Sequence, residues 1–437
     1  MITAKFGGTS LCDAQQFRAV QRIIESDARR RFIVVSAPGK RSEDDVKITD
    51  LLIACYNAAR EGGDVAAAFR PVRARFEEII AQLSLSLDLS QEFTATVWAM
   101  ESGVGSAFCL SRGEYFSARI MAALLGRPFV DPVHFVFFNG QGAFDPEIAE
   151  HSLGERLREL DCAVLPGFYG AMPDGTVHTF ARGGSDISGA IVARASGSEI
   201  YENWTDVPGV LAADPRIVPN PRLVDVMTYD EVRELSYLGA NVLHPDAILP
   251  AKRAGIPIHI RNTMDPDSPG TWIVEKTDRP GSLITSVAGR RGYSSIQVEK
   301  DTANAEVGYC RKILSCLEKH GISFEHLATG IGSTAVIVPT QEVRASAEAL
   351  KRSIESTVHP DSLEITDGLA MITVVGREMV GKAKAAVRLF DAISGAGIPV
   401  RLIDQGTREL NIVVGVDEQY FSAGMNAVYQ AFFGEEA

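Results

Sequence analysis

The chain has 437 residues, enough for two or three domains, and its 46% hydrophobic, 23% charged composition is that of a globular protein. A formal net charge of −13 argues against a general nucleic-acid or anionic-membrane surface, and any site for an anionic ligand must concentrate Lys and Arg locally. The six cysteines are scattered with no C-x-x-C pair, so free thiols in a reducing compartment are expected rather than zinc ligands or a disulfide framework.

In chain order, Lys5-Phe6-Gly7-Gly8-Thr9-Ser10 comes first; Lys5 and Gly7 interrupt any signal-peptide core, and a cytoplasmic location is expected. Paired glycines let backbone N–H groups approach an anion closely, and the flanking lysine supplies charge where phosphate oxygens would sit. Residues 32–36 (FIVVS) read as a buried strand, followed by a long charged insertion at 38–47 and helices over 48–61 and 65–83. The apolar run 129–138 contains Asp131, Pro132 and His134 and is too short to span a bilayer, so no membrane partner is expected. Residues 163–165 and 256–260 read as further buried strands. Between them stands a second Gly-Gly turn, Arg182-Gly183-Gly184-Ser185-Asp186, opened by an arginine. The strand–helix alternation predicts a largely parallel sheet with helices on both faces. Two cationic Gly-Gly turns in one such domain point to phosphoryl transfer.

The texture changes near Pro280-Gly281, and an internal repeat follows. Gly321-Ile322 recurs 76 residues later as Gly397-Ile398, and Ala335-Val336-Ile337-Val338 recurs at the same offset as Asn411-Ile412-Val413-Val414. Ile313-Leu314 matches Leu389-Phe390, and Leu317 matches Ile393. Each copy reads strand, helix, Gly-Ile, strand, strand, helix, a duplicated β-α-β-β-α module.

With both turns and the duplicated tail in view, the chain resembles the monofunctional aspartate kinases (aspartokinases) over essentially its whole length. Thr205-Asp206-Val207-Pro208-Gly209-Val210, followed by Asp214-Pro215-Arg216, matches that family's nucleotide-site signature. Leu238-Gly239-Ala240-Asn241-Val242-Leu243-His244-Pro245 matches a further block. The resemblance implies an α/β fold: an amino-acid-kinase α/β/α sandwich with a mostly parallel sheet over 1–285, then two ferredoxin-like α+β ACT domains at 291–361 and 366–437. It implies transfer of a phosphoryl group from ATP to the side-chain carboxylate of L-aspartate, with Mg²⁺ accompanying ATP and no dedicated metal site. That reaction opens lysine, threonine and methionine synthesis. A homodimer or larger assembly through the ACT domains is implied, with lysine or threonine as effector and no nucleic-acid partner. The alternative reading is a catalytically silent amino-acid sensor or regulatory subunit.

Such a reaction needs no general base, because the attacking carboxylate is already ionised at neutral pH. It needs positioning and charge cancellation between two anions. By resemblance, Lys5 is the catalytic lysine and Asp186 the acidic residue that organises it. Gly7, Gly8, Thr9, Ser10, Gly183 and Gly184 form the phosphate-facing turns. Arg182 suits the α-carboxylate through its planar fork, Glu114 the α-ammonium, and Ser36, Thr49 and Ser185 supply further substrate-side hydroxyls. The alignment of Thr49 across the insertion rests on Asp50-Leu51-Leu52. Nucleotide contacts fall on Lys5, Thr205, Asp206, Leu211, Arg216 and Asn241. Two of these depart from some family members: Leu211 stands where a tyrosine can pack near the base, and Asn241 where a lysine can reach the nucleotide. Val307, Gly308, Thr329, Gly330 and Ile331 are expected at the effector site. His244, among apolar neighbours, is expected to be a core histidine.

Overall fold

The strand β1 (Ile2–Phe6) is buried at every position, the pattern of a central strand covered on both faces. It pairs in parallel with β2 (Arg30–Val35) on one side and β6 (Ile200–Thr205) on the other, which sets Lys5 beside Val34 and Asn203. The protein is seen here as a computed structural model that describes residues 1–180, 183–237, 243, 245–277 and 282–434. With β3 (Ala163–Pro166), β7 (Val226–Thr228), β8 (Ile258–Asn262) and β9 (Thr271–Val274), these strands form a sheet ordered β3-β2-β1-β6-β8-β9-β7. All neighbours run parallel except β8 and β9. A separate hairpin joins β4 (Tyr169–Ala171) to β5 (Val177–Thr179).

The helices of this unit are α1 (Ala14–Glu25), α2 (Ile48–Arg60), α3 (Val65–Leu83), α4 (Ser90–Glu101), α5 (Ser106–Leu125), α6 (Pro146–Arg158), α7 (Gly184–Ser196), α8 (Tyr229–Tyr237) and α9 (Pro245–Arg253). The ring of Phe116 on α5 holds three helices together. It meets Phe93 of α4 at 4.8 Å, and Phe76 and Phe69 of α3 at 5.3 and 6.5 Å between centroids. All four side chains are buried, and each contributes about 1.5–3 kcal/mol by leaving water. That packing fixes α5, and with it Glu114, against the carboxyl end of the sheet.

The second unit is the duplicated tail. Its elements are β10 (Ser286–Glu299), α10 (Tyr309–Lys319), β11 (His326–Thr329), β12 (Ser333–Pro339), α11 (Thr340–Arg344), α12 (Ala347–Val358), β13 (Ser362–Val375), α13 (Lys384–Gly395), β14 (Val400–Asp404), β15 (Asn411–Asp417) and α14 (Phe421–Phe433). The repeat is visible in three dimensions. β10 and β13 have 14 residues each, and Gly321 and Gly397 follow α10 and α13 with φ of 67° and 68°. The matched Ile313, Leu317, Leu389 and Ile393 are all buried.

The two copies share one antiparallel sheet, β11-β12-β10-β13-β15-β14, whose centre is the long β10–β13 pair. The far half of β10 also pairs with β12, and the far half of β13 with β15. Each copy is therefore four-stranded because it borrows half of the other's long strand. The segment Leu211–Arg222 groups with this unit. There Val287 N–H donates to the Ala212 carbonyl at 2.7 Å, Arg222 N–H to the Tyr429 hydroxyl at 2.9 Å, and Asn426 Nδ2 to the Ile217 carbonyl at 3.0 Å.

Candidate active site

β1 ends in the first Gly-Gly turn, and α7 begins in the second. In a parallel sheet both lie at the carboxyl edge, where ligand groups collect. Lys5, near the end of β1, reaches the first turn of α7, where its Nζ lies 2.5 Å from Asp186 Oδ1. The two side chains are only 8% and 19% exposed, so the pair is well shielded from water. Asn203, opposite Lys5 on β6, completes the group: Lys5 Nζ donates to its Oδ1 at 3.4 Å, and its Nδ2 donates to Asp186 Oδ1 at 3.1 Å. The Asp186 carbonyl accepts from the Tyr201 hydroxyl at 3.0 Å, anchoring the helix start as well. A buried lysine held this way has its ammonium in one place rather than swept over a flexible stem.

The first turn is close-packed. Gly39 N–H donates to the Gly8 carbonyl at 2.8 Å, and a Cβ on Gly8 would stand 2.8 Å from the Ala37 carbonyl oxygen. Thr9 faces the adjoining cleft, but Ser10 turns inward. Its hydroxyl is buried against Thr263 Oγ1 at 2.7 Å, and its N–H is spent on the Gly7 carbonyl. In this structure Ser10 braces the turn rather than presenting a hydroxyl to the cleft. At the second turn, Gly183 adopts φ of 75° as the residue before α7, a left-handed conformation suited to glycine. The positive end of α7 is thereby aimed at the same edge.

The cleft itself has a volume of about 960 Å³ and brings together Gly8, Thr9, Ser36, Thr49, Glu114, Gly183, Gly184 and Ser185. Ser36, just past the end of β2, donates to Ser185 Oγ at 2.9 Å, joining that strand end to the second turn. Glu114 sits in the middle of α5, and burial pushes its carboxyl up to about 8. The Ala37 backbone, Arg112 and Lys5 oppose that rise without cancelling it. A buried acid with cations nearby, and no ion-pair partner among the described residues, suits a ligand that brings its own positive charge. A second cavity of about 610 Å³, lined by Phe138, Phe144, Phe180 and Ile187 together with Glu150, Arg194 and Arg253, carries among the described residues none of either Gly-Gly turn.

The nucleotide-side residues divide. Thr205 closes β6 and donates to Asp206 Oδ1 at 3.2 Å, both on the first unit. Leu211 and Arg216 lie on the segment that groups with the second unit, where Arg216 is 85% exposed and pairs with Asp214 at 2.7 Å. Arg182, Asn241 and His244 lie outside the described residues. In the tail, Val307 is 96% exposed, and Gly308 precedes α10 with φ of 78°. Gly330 N–H donates to Ser333 O at 2.7 Å, closing the β11–β12 turn that also carries Thr329 and the 79% exposed Ile331. Among the described residues no cluster of three or more His, Cys, Asp or Glu could hold a metal ion, and no helix is long and apolar enough to cross a membrane. Asn203 is a site residue that the sequence motifs do not single out. Its signal is position: two residues before Thr205 on one strand, it shares that residue's face.

A lysine–carboxylate pair at two glycine turns, beside a cleft with a buried acid, defines a phosphoryl-transfer enzyme of the α/β class. The amino acid kinase family matches residues 1–262, and an ACT domain matches residues 372–432. The chain belongs to the amino acid kinase family, and among its members it is the aspartate kinases that it matches along its length. It is 35% identical over 448 residues to aspartokinase 3 of Bacillus subtilis (strain 168), covering 99% of each chain. It is 26% identical over 459 residues to the chloroplastic aspartokinase 1 of Arabidopsis thaliana, covering 98% of this chain and 79% of that one. The aspartate kinase of Clostridium acetobutylicum has the same fold with a TM-score of 0.95 at 40% identity, covering 99% of this chain and 100% of the other.

Proposed function

We propose that this protein transfers the γ-phosphoryl group of ATP to the side-chain carboxylate of L-aspartate, giving 4-phospho-L-aspartate and ADP. The observation that carries the reading is the shielded Lys5–Asp186–Asn203 group beside the Glu114 cleft, in a chain related along its length to aspartate kinases. The nucleophile is ionised before it binds, so catalysis reduces to holding two anions in line and cancelling their repulsion. Lys5 places its ammonium where charge develops on the transferring group, while Asp186 and Asn203 hold Lys5 in that position. Gly8 and the Gly183-Gly184 turn present backbone N–H groups to phosphate oxygens, the Gly7 N–H being spent on the Trp204 carbonyl at 3.0 Å. Glu114 receives the α-ammonium of aspartate, and Ser36, Ser185 and Thr49 orient the acceptor. ATP enters as its Mg²⁺ complex, which supplies further charge neutralisation.

The ACT modules give an amino-acid effector, lysine or threonine, a site of its own, and the enzyme works in the cytoplasm as a homodimer or larger assembly. The description of the Clostridium acetobutylicum relative as an allosteric enzyme supports regulation of this kind. The test is to trap the acyl phosphate with hydroxylamine, using Mg·ATP with aspartate, glutamate or N-acetylglutamate. Hydroxamate from aspartate alone, absent with Lys5→Ala, is the expected result. A folded protein that binds an amino acid but yields no hydroxamate from any acid would be a sensor instead.

A further inference from the structure

The charged insertion at 38–47 has no part in the chemistry described so far, yet it forms one wall of the cleft. It is not loosely attached. Arg75 of α3 is buried, and its Nη2 donates to both oxygens of Asp45 at 2.7 Å. Its Nη1 reaches back towards the carbonyls of Cys12 and Gly39 at 3.4 and 3.5 Å. One guanidinium nitrogen bonded to both oxygens of a largely shielded carboxylate is a charge-assisted contact that fastens the insertion to α3.

That geometry brings Lys40, Arg41 and Lys47 to the cleft. Two are already occupied. Lys40 Nζ donates to the Glu43 carbonyl at 2.9 Å, and Arg41 is shared between Asp45 and Glu78 at 3.1 and 3.0 Å. Among the described residues, the Lys47 ammonium has no hydrogen-bond or ion-pair partner. It also stands at the N-cap of α2, with no side-chain capping bond. The first turn of α2 already carries Asp50, so it is not the helix end but the cleft wall on which the Lys47 ammonium stands without a partner. An unpaired cation on the wall of a cleft that gathers substrate-side groups points to an anionic ligand.

We propose that Lys47 is a specificity-determining residue that receives a carboxylate of the acceptor, and that Arg75, through Asp45, is the positioning residue that holds it there. The inference rests on the aspartate kinase reading above. The acceptor is the assigned partner because Lys47 lies two residues before Thr49 and shares the cleft with Ser36 and Glu114. The nucleotide-side Thr205 and Asp206 do not line that cleft.

The test measures kcat and KM for both substrates in the full-length protein, with Lys47→Met, Lys47→Arg, Asp45→Asn and Asp45→Glu. Losing one charge-assisted contact, Lys47→Met raises KM for aspartate about tenfold, more than it lowers kcat, and leaves KM for ATP in place. Lys47→Arg restores most of the loss. Asp45→Asn shifts the same constant in the same direction by about threefold, and Asp45→Glu recovers part of it. Asp45→Asn leaves the buried Arg75 guanidinium without its carboxylate, so a thermal melt of each variant establishes that it is folded before its constants are read. An unchanged aspartate KM in Lys47→Met, or a rise confined to the ATP KM, overturns the assignment while the aspartate kinase reading stands. Wild-type protein that forms no hydroxamate from aspartate overturns both.

Discussion

Lys5 and Asp186 meet at 2.5 Å, although one closes the first strand of the sheet and the other opens the seventh helix. Neither Gly-Gly turn makes a catalytic site alone. The first supplies the cation, the second supplies the carboxylate that orients it, and Asn203 on β6, beside β1, bonds to both. Lys5→Met should therefore lower kcat by about 10³-fold or more, the scale of losing a preorganised charge in a shielded site. Asn203→Ala should cost less, about tenfold, because Asp186 still holds the ammonium. Equal losses in the two variants would show that Asn203 does more than orient.

Glu114 gives a prediction in pH. Its carboxyl is raised to about 8 by burial, against an ordinary 4.5, so between those values the folded protein holds a proton that the unfolded chain has released. Stability then falls as pH rises through this window. Glu114→Gln removes the term. Without ligand, the variant should melt above the wild type at pH 8.5, and the gap should close towards pH 4; the effect is on the order of a few kcal/mol. Activity moves the other way. An ammonium ligand needs the ionised carboxylate, so kcat/KM for aspartate should climb with pH up to about 8 in the wild type. In Glu114→Gln that limb should flatten, with kcat/KM down by about a hundredfold.

Gly8→Ala tests the phosphate turn through backbone alone. The added methyl would stand 2.8 Å from the Ala37 carbonyl oxygen and close to the Gly39 backbone, with no flexible side chain to yield. The turn must open, and a displacement of about 1 Å at a phosphate-facing loop costs about 10²-fold in activity. Gly62→Ala serves as the contrasting site: it has φ of 70° but open space around it, so it should lose some stability and little activity. An active Gly8→Ala enzyme would place the phosphates elsewhere.

Much of this organisation is legible in the residues, for physical reasons. The buried strands at β2 and β3 are short apolar runs bounded by turn residues, and the 76-residue repeat survives because both copies bury the same positions. Lys5, Asp186 and Glu114 are legible only as motif matches; their mutual geometry depends on strand order, which local pattern does not encode. Ser10 shows the limit best. Its place in the turn predicts a hydroxyl facing phosphate, but Thr263 takes it, and no spacing within the first turn signals a partner that far along the chain. The sharing of β10 and β13 is equally hidden. Their solvent-facing residues carry little periodicity, and antiparallel register is set by pairing between copies rather than within one.

The repeat yields the last prediction. Gly321 and Gly397 close α10 and α13 in the left-handed region, at φ of 67° and 68°, and a Cβ added at either would meet no atom within 4 Å. A methyl there would clash with nothing, so Gly→Ala isolates the backbone preference: about 1 kcal/mol per site. The two glycines follow different helices in different copies, so their effects should add, giving about 2 kcal/mol in the double variant. Denaturant unfolding of the full-length protein, followed by a probe in the tail, measures this directly. A double variant much less stable than the sum would mean that the shared β10–β13 pair couples the two copies energetically. That outcome is physically reasonable, since each copy completes its sheet with a strand the other must first form.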